Sequence, residues 1–338
     1  TARHYGSSER QLGWALPRTP DPSRLLQSKV PPRPDADAFE AELELSFERL
    51  GCDRLDLLAI HGINLPEHLE QTLQPGGCME VVRRWQAEGR IGHVGFSTHG
   101  PTALIAQACD SGAFDYVNLH WYYIRQDNGP ALDAARRQDM GVFIISPTDK
   151  GGHLHTPSQR LLELCAPLHP IVFNDLFCLQ DPRVHTISVG AARPEDLELH
   201  LEALRLLPEA ASLIAPVDQR LRQAADEALG RDWMATWSVG LPPWHATPGE
   251  INLPVLLWLY NLLEAWDLES YAKARYGLLG SGGHWFAGAN ADGFDAEVSA
   301  EELQSVLQES PWRERIPEIL RSLKQRLKGE SQMRLSSV

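Results

Sequence analysis

Only five cysteines occur in this 338-residue chain, Cys52, Cys78, Cys109, Cys165 and Cys178, and none forms a Cys-x-x-Cys pair. An odd, widely spaced set in apolar or helical surroundings builds no disulfide framework, so reduced thiols in a cytoplasmic protein are expected. Positive charge is also short. With Lys+Arg at 31 and Asp+Glu at 45 the net charge is -14, which opposes a role at nucleic-acid phosphates or on anionic lipid. No run approaches the roughly 20 apolar residues that span a bilayer, and the longest, 253–263, is interrupted by Tyr260 and Asn261. An initiator Met and a secretory apolar region are both missing from the start, and the first residues read as the middle of a motif, so a segment upstream of Thr1 is expected.

What is present is an alternation of short apolar runs with amphipathic stretches. Gln27-Ser28-Lys29-Val30 is a strand ended by Pro31-Pro32. Phe39, Leu43, Phe47 and Leu50 form one face of a helix over 36–50 that stops at Gly51. Leu55 to His61 reads as a buried strand, followed by a helix marked by Met79, Val82 and Trp85. Strand 93–97 and helix 101–110 repeat the pattern, as do strand 114–119 and helix 131–138. The run Gly141 to Pro147 is almost wholly apolar, the mark of a strand covered on both faces. A less regular helical region, 157–179, leads to strand 186–190 and helix 194–206.

Six strand-helix units of this kind argue for a parallel sheet, open or closed. Closure is favoured because polar or small residues recur at strand end after strand end: Lys29, His61, Ser97, Asn118, Ser146 and Gly190. In a (β/α)8 barrel those ends converge on one mouth, whereas an open sheet gathers its site at one switch point. The fold class expected is therefore an α/β TIM barrel, whose first two strands would precede Thr1. Residues 1–210 make the barrel part (strands three to eight), and 211–338 a helical C-terminal extension.

Before the first strand, Tyr5 stands in a loop that opens a helix, with Ser7 or Ser8 as its cap and Glu9 at the positive end of its dipole. A loop tyrosine on its own is a surface aromatic, a strand-end lysine is a solvated charge, and a strand-end histidine is a satisfied core group. The company they keep changes that reading. Thr1-Ala2-x-x-Tyr5-Gly6-x-Ser8-Glu9, the Ser28-Lys29 strand end, Arg49 to Leu57 leading to His61, Glu88 to Ser97, and Val189 to Leu197 together resemble the aldo-keto reductases, in order and in spacing, over Thr1 to about Leu207.

The resemblance implies an NAD(P)H-dependent oxidoreductase that reduces an aldehyde or ketone, a small-molecule carbonyl substrate, to an alcohol. Tyr5 would be the general acid, with Lys29 and His61 beside it. An Asp immediately before Thr1, outside this chain, would hold the lysine, so residues 1–338 alone are expected to be inactive. An ammonium next to Tyr5 lowers its pKa by favouring phenolate, and a neutral His61 can donate a hydrogen bond to the substrate oxygen. For the cofactor, NADPH or NADH, the resemblance implies Ser97, Thr98 and Asn118 at the nicotinamide carboxamide, and Ser146, Gly190, Ala191, Arg193 and His200 along the rest. Asp196, Leu199 and His200 depart from the family's pattern at the adenosine end and put the usual NADPH preference in doubt, although Arg193 could compensate. If that end has eroded, the chain is instead a non-catalytic barrel, a binding or scaffold protein.

The extension resembles a branch of the same family that carries ferredoxin-like iron-sulfur motifs, through Thr247 to Pro254, Tyr271 to Tyr276, and Gly282-Gly283-His284-Trp285-Phe286. Where that branch clusters cysteines, this chain has Ser238, Leu241, Trp244 and Thr247. A cluster needs thiolates, so no iron-sulfur cluster is expected and metal ligands are none.

Overall fold

The computed structural model describes residues 1–281 and 285–329. Six short strands, β1 (Gln27–Val30), β2 (Leu55–His61), β3 (Ile91–Ser97), β4 (Tyr116–Leu119), β5 (Gly141–Ile145) and β6 (Thr186–Ser188), form one sheet in sequence order with every neighbouring pair parallel. Parallel neighbours require crossovers, and helices supply them. Helix α1 (Ser8–Ala15) precedes β1, and α2 (Ala36–Leu50) joins β1 to β2. Helices α3 (Pro66–Leu73) and α4 (Cys78–Ala87) join β2 to β3, α5 (Thr102–Asp110) joins β3 to β4, and α6 (Gly129–Arg137) joins β4 to β5. Between β5 and β6 lie α7 (Pro147–Lys150), α8 (Gln159–Cys165) and α9 (Pro170–Leu179), and α10 (Glu198–Leu206) follows β6. The curled sheet with its outer helices is the α/β arrangement of a TIM barrel, and among the described residues β1 and β6 do not pair with each other. Residues 1–3 run along the outer edge of β1. Thr1 N donates to Gln27 O at 3.0 Å and Arg3 N to Lys29 O at 2.8 Å, the two-residue step of a parallel ladder.

Residues paired across a parallel ladder present their side chains to one face. Val30, Leu58, Ile60, Val94, Phe96, Val117, Leu119, Val142 and Ile144 share the outer face and are fully buried under α2, α4, α5 and α6 with Phe39, Leu43, Val82 and Trp85. The inner face carries Lys29, His61, Ser97, Asn118, Phe143 and Ile145. The expectation that the apolar run 141–147 is covered on both sides is not met: Val142 and Ile144 are buried, whereas Gly141, Phe143 and Ile145 stay partly exposed on the inner face. Pro147 leaves the strand and opens α7.

At the start of the chain, Ser7 precedes α1 without making a side-chain cap bond. Glu9 is buried rather than presented to the helix end, because its carboxylate accepts from Ser28 Oγ at 2.6 Å on the outer face of β1. Helix α1 crosses α2 at Gly13, where a Cβ would stand 2.3 Å from Arg49 O, an approach that only glycine permits.

The extension continues from α10 without a linker, through α11 (Ala210–Leu229), α12 (Arg231–Thr236), α13 (Leu253–Trp266), α14 (Glu269–Tyr276), α15 (Ala300–Ser305) and α16 (Ile316–Leu327). Helix α11 holds Pro216 inside it. Burial of Ile214, Val217 and Leu221 outweighs the lost N–H bond. Leu161, Phe173 and Leu176 of α8 and α9 share one core with Leu221, Leu257 and Leu320, so packing is continuous across residue 210. Of the Gly282-Gly283-His284-Trp285-Phe286 motif, residues 282–284 lie outside the described residues. No single helix among the described residues is long and apolar enough to cross a membrane.

Leu197, Leu201 and Leu204 repeat at helical spacing after β6, whose outer edge pairs with no strand among the described residues, and are 40%, 54% and 55% exposed. An exposed apolar stripe and a strand edge without a partner each favour association. Residues 1–338 alone are therefore expected to self-associate, and the double substitution Leu201→Glu, Leu204→Glu should lower the sedimentation coefficient. Identical sedimentation of the two proteins would show that the stripe is inert.

Candidate active site

Strand register brings the site together. His61 at the end of β2 pairs with Ser97 of β3, which pairs with Asn118 of β4, and Lys29 of β1 lies opposite Ala59, two residues before His61 on the same face. The loop after residues 1–3 then folds Tyr5 over this row. A turn bond from Tyr5 N to Ala2 O (3.1 Å) and a left-handed Gly6 (φ 54°) reverse the chain there. The Tyr5 and His61 rings meet edge to face with centroids 5.4 Å apart, and Lys29 Nζ lies 5.4 Å from the Tyr5 ring centre while donating to Thr1 O at 2.9 Å.

The electrostatics of these three groups differ from the simplest expectation. Burial pushes Tyr5 upward from the usual phenol value rather than letting Lys29 draw it down, even though 43% of the residue is exposed. The protein packed on its His61 and Lys29 side removes more hydration from a phenolate than the ammonium repays. Lys29 is itself brought down to about 8 by burial, and no carboxylate lies within ion-pair distance of it among the described residues. His61 is brought down to about 3, first by burial and then by the charges of Lys29, His4 and Lys150. At neutral pH the trio is a protonated phenol, a cation and a neutral imidazole.

Of the expected cofactor residues, Ser97 and Asn118 stand beside this trio. Ser97 Oγ accepts from Gly62 N at 3.2 Å, which leaves its own proton to donate, and Asn118 Oδ1 accepts from Gln27 Nε2 at 3.3 Å. Thr98 is 1% exposed, donates to Ile63 O at 2.7 Å and accepts from Gly100 N at 2.9 Å, so its hydroxyl is committed to the loop. Ser146 ends β5 in the left-handed region (φ 44°, ψ 57°), a costly conformation for a side-chain-bearing residue that turns the chain at the mouth. Gly190, Ala191 and Arg193 form an exposed loop after β6. There the Asp196 carboxylate accepts from Ala192 N (2.9 Å) and Arg193 N (3.1 Å) and pairs with the Arg193 side chain at 3.1 Å, holding its own pKa below the usual carboxylate value. His200 is not at the surface of this loop. It is buried, paired through Nδ1 with Asp175, and its Nε2 stands 3.5 Å from Thr148 Oγ1.

The structure adds a group that the strand reading passed over. His99 Nδ1 lies 2.5 Å from His120 Nε2, and His120 Nδ1 lies 2.7 Å from the Tyr122 hydroxyl, which donates to Ile145 O. That carbonyl only accepts, so the proton order runs back along the chain: His120 donates from Nδ1 and receives at Nε2. Trp285 of the extension stacks on His120 with centroids 5.0 Å apart and planes 3° apart. The signal was available in the alternation of the strands, since His99 and His120 each follow an inner-face residue, Ser97 and Asn118, by two.

A family model described as the Aldo/keto reductase family matches residues 1–169. Among solved structures, aldo-keto reductase AKR11C1 from Bacillus halodurans in its holo form superposes with a TM-score of 0.53 at 17% identity, covering 63% of this chain and 77% of that one. A thermostable aldo-keto reductase, Tm1743, in complex with the inhibitor epalrestat, gives 0.50 at 20% identity, covering 63% and 80%. At such identities the likeness shows the fold alone. No curated protein matches the chain.

Proposed function

The chain belongs to the aldo/keto reductase family, and from that premise we propose that it is an NAD(P)H-dependent oxidoreductase that reduces an aldehyde or ketone to an alcohol. The observation that carries this reading is the meeting of Tyr5, Lys29 and His61 at one end of the sheet. When bound, a reduced nicotinamide supplies the hydride that the carbonyl carbon accepts. The chain's residues handle the oxygen. Neutral His61 donates a hydrogen bond that orients it, and Tyr5 passes it a proton. The raised phenol pKa keeps that proton in place until an alkoxide develops, whose basicity, near that of hydroxide, draws it off. Lys29 then stabilises the phenolate left behind.

The carboxamide end of the cofactor fits the residues present, since Ser97 has a proton to donate and Asn118 stands next to it on the same face. The adenosine end fits less well. A 2′-phosphate would have to displace the Asp196 carboxylate from Arg193, which favours NADH, and His200 is committed to Asp175. That second observation favours the alternative, a barrel retained for binding or scaffolding. Titrating NADH and NADPH into the full-length protein while following Trp fluorescence separates the two: saturable quenching by either supports the enzyme, and none by both supports the scaffold. For residues 1–338 alone we propose little turnover, since no carboxylate partner among the described residues fixes the position of Lys29, whose Nζ is held only by Thr1 O.

No group of three or more His, Cys, Asp or Glu side chains is arranged to hold a metal among the described residues. Purified protein is expected to be colourless, with far less than one iron per chain. About four irons with acid-labile sulfide after anaerobic preparation would refute the cluster-free reading.

A further inference from the structure

A cavity of about 370 Å³ opens where the extension meets the loop after β4. Ile124 closes one side, and Trp237, Pro254, Val255, Trp258 and Phe286 form the rest of an apolar wall. That volume lies within the range of small-molecule sites, and neither Tyr5, Lys29 nor His61 borders it. The wall is built before any ligand arrives. Trp258 Nε1 donates to Ile124 O at 2.8 Å, which ties α13 to the loop and uses the indole's one donor, and the Trp258 and Phe286 rings lie nearly parallel, with planes 14° apart.

Arg125, Gln126 and Asp127 supply the polar part of the lining, and each is engaged within the protein. Asp127 accepts from Arg125 Nε at 3.1 Å and from Nη2 at 3.3 Å, so the two charges cancel. Arg125 Nη1 is shut off from solvent, and the guanidinium carbon sits 5.8 Å from both the Trp258 and Phe286 ring centres. Gln126 Nε2 donates to Tyr123 O at 2.8 Å. An ion entering the cavity would shed hydration without gaining a partner of opposite charge, which is costly. Aromatic faces reward a flat π-system, through offset or edge-to-face contact, over an aliphatic body of similar size. Charge and shape therefore select together.

We propose that this cavity is a binding site for a neutral, planar aromatic molecule, held against Trp237, Trp258 and Phe286. The site is separate from the candidate catalytic row, so it stands or falls independently of the reductase reading.

The test titrates three probes with the same two-ring skeleton calorimetrically into the full-length protein: 2-naphthol, neutral and planar; 2-naphthoate, planar but anionic; and decahydro-2-naphthol, neutral but puckered. Naphthol is expected to bind once per chain. Naphthoate should bind at least about tenfold more weakly, for want of a partner for its charge, and decahydronaphthol roughly 2- to 12-fold more weakly, for want of aromatic contact. Val255→Trp, which fills the cavity from α13 and leaves the catalytic row untouched, should abolish naphthol binding in a protein whose circular dichroism is unchanged. No saturable binding of naphthol, or binding of either other probe as tightly as naphthol, overturns the proposal without recourse to any variant. Undiminished binding to folded Val255→Trp protein places the ligand elsewhere and overturns it as well.

Discussion

Tyr5→Phe is expected to lower kcat/KM for aldehyde reduction by roughly 10²- to 10⁴-fold, the contribution of a positioned general acid. The substitution removes one hydroxyl and keeps the ring that packs edge to face on His61, so cofactor affinity and thermal stability should stay near those of the unmodified protein. Loss of rate without loss of binding is the signature of a group acting in the transition state. A pH profile adds a second readout. In residues 1–338 Lys29, at about 8, loses its charge as pH rises through that value, and with it the cation that stabilises the Tyr5 phenolate, so whatever kcat/KM this chain shows should fall from about pH 8, and a carboxylate beside Lys29 should move that limb to higher pH. A Tyr5→Phe protein that retains full rate would remove Tyr5 from the chemistry.

The second large effect is on stability in acid. His61 is held at about 3 in the folded protein against about 6.5 in an unfolded chain. Between those values the unfolded state binds a proton that the folded state refuses. Stability is therefore fully present above pH 6.5 and is lost progressively as pH falls from 6.5 towards 3. At about 1.4 kcal/mol per pKa unit the loss amounts to at most ~5 kcal/mol by pH 3, a large share of a domain's usual margin. Replacing His61 with Leu should flatten that acid limb, so the fall in urea midpoint between pH 7 and pH 4 should be visibly smaller in the variant. Parallel loss in both proteins would mean that other groups, such as the buried His120, which is also held well below the ordinary imidazole value, govern acid unfolding.

Much of the fold could be read from the sequence because strand-helix alternation is a local signal. Helix α2 spans its expected residues, Asp35 capping one end and Gly51 (φ 60°) the other, and β1 and β2 likewise fall where expected. Tyr5, Lys29 and His61 could be chosen from their order along the chain, but that they meet depends on register and on the loop that carries Tyr5 back over the sheet. What could not be read depends on contacts distant in sequence. Glu9 has the composition of a helix-end acid, yet β1 offers it Ser28. Asp196 resembles a liability at a phosphate site, yet its carboxylate closes its own loop. His200 looks like a surface reader of a nucleotide until Asp175, from a different helix, draws it into the core. The direction of the Tyr5 pKa escapes the sequence for a related reason: spacing places a cation nearby but does not show how much solvent the surrounding protein removes.

If Tyr5, Lys29 and His61 serve the transfer of a hydride to a carbonyl carbon, the hydrogen of the cofactor must appear on that carbon. The most direct test is isotopic. Incubating the full-length protein with benzaldehyde and either NADH or NADPH carrying deuterium at both C4 positions, then examining the product by NMR, should find one deuterium on the benzylic carbon of benzyl alcohol. The same incubation with the Tyr5→Phe protein should give little product. Absence of labelled alcohol with either cofactor, from protein that is folded and binds that cofactor, would show that these residues do not serve hydride transfer to a carbonyl.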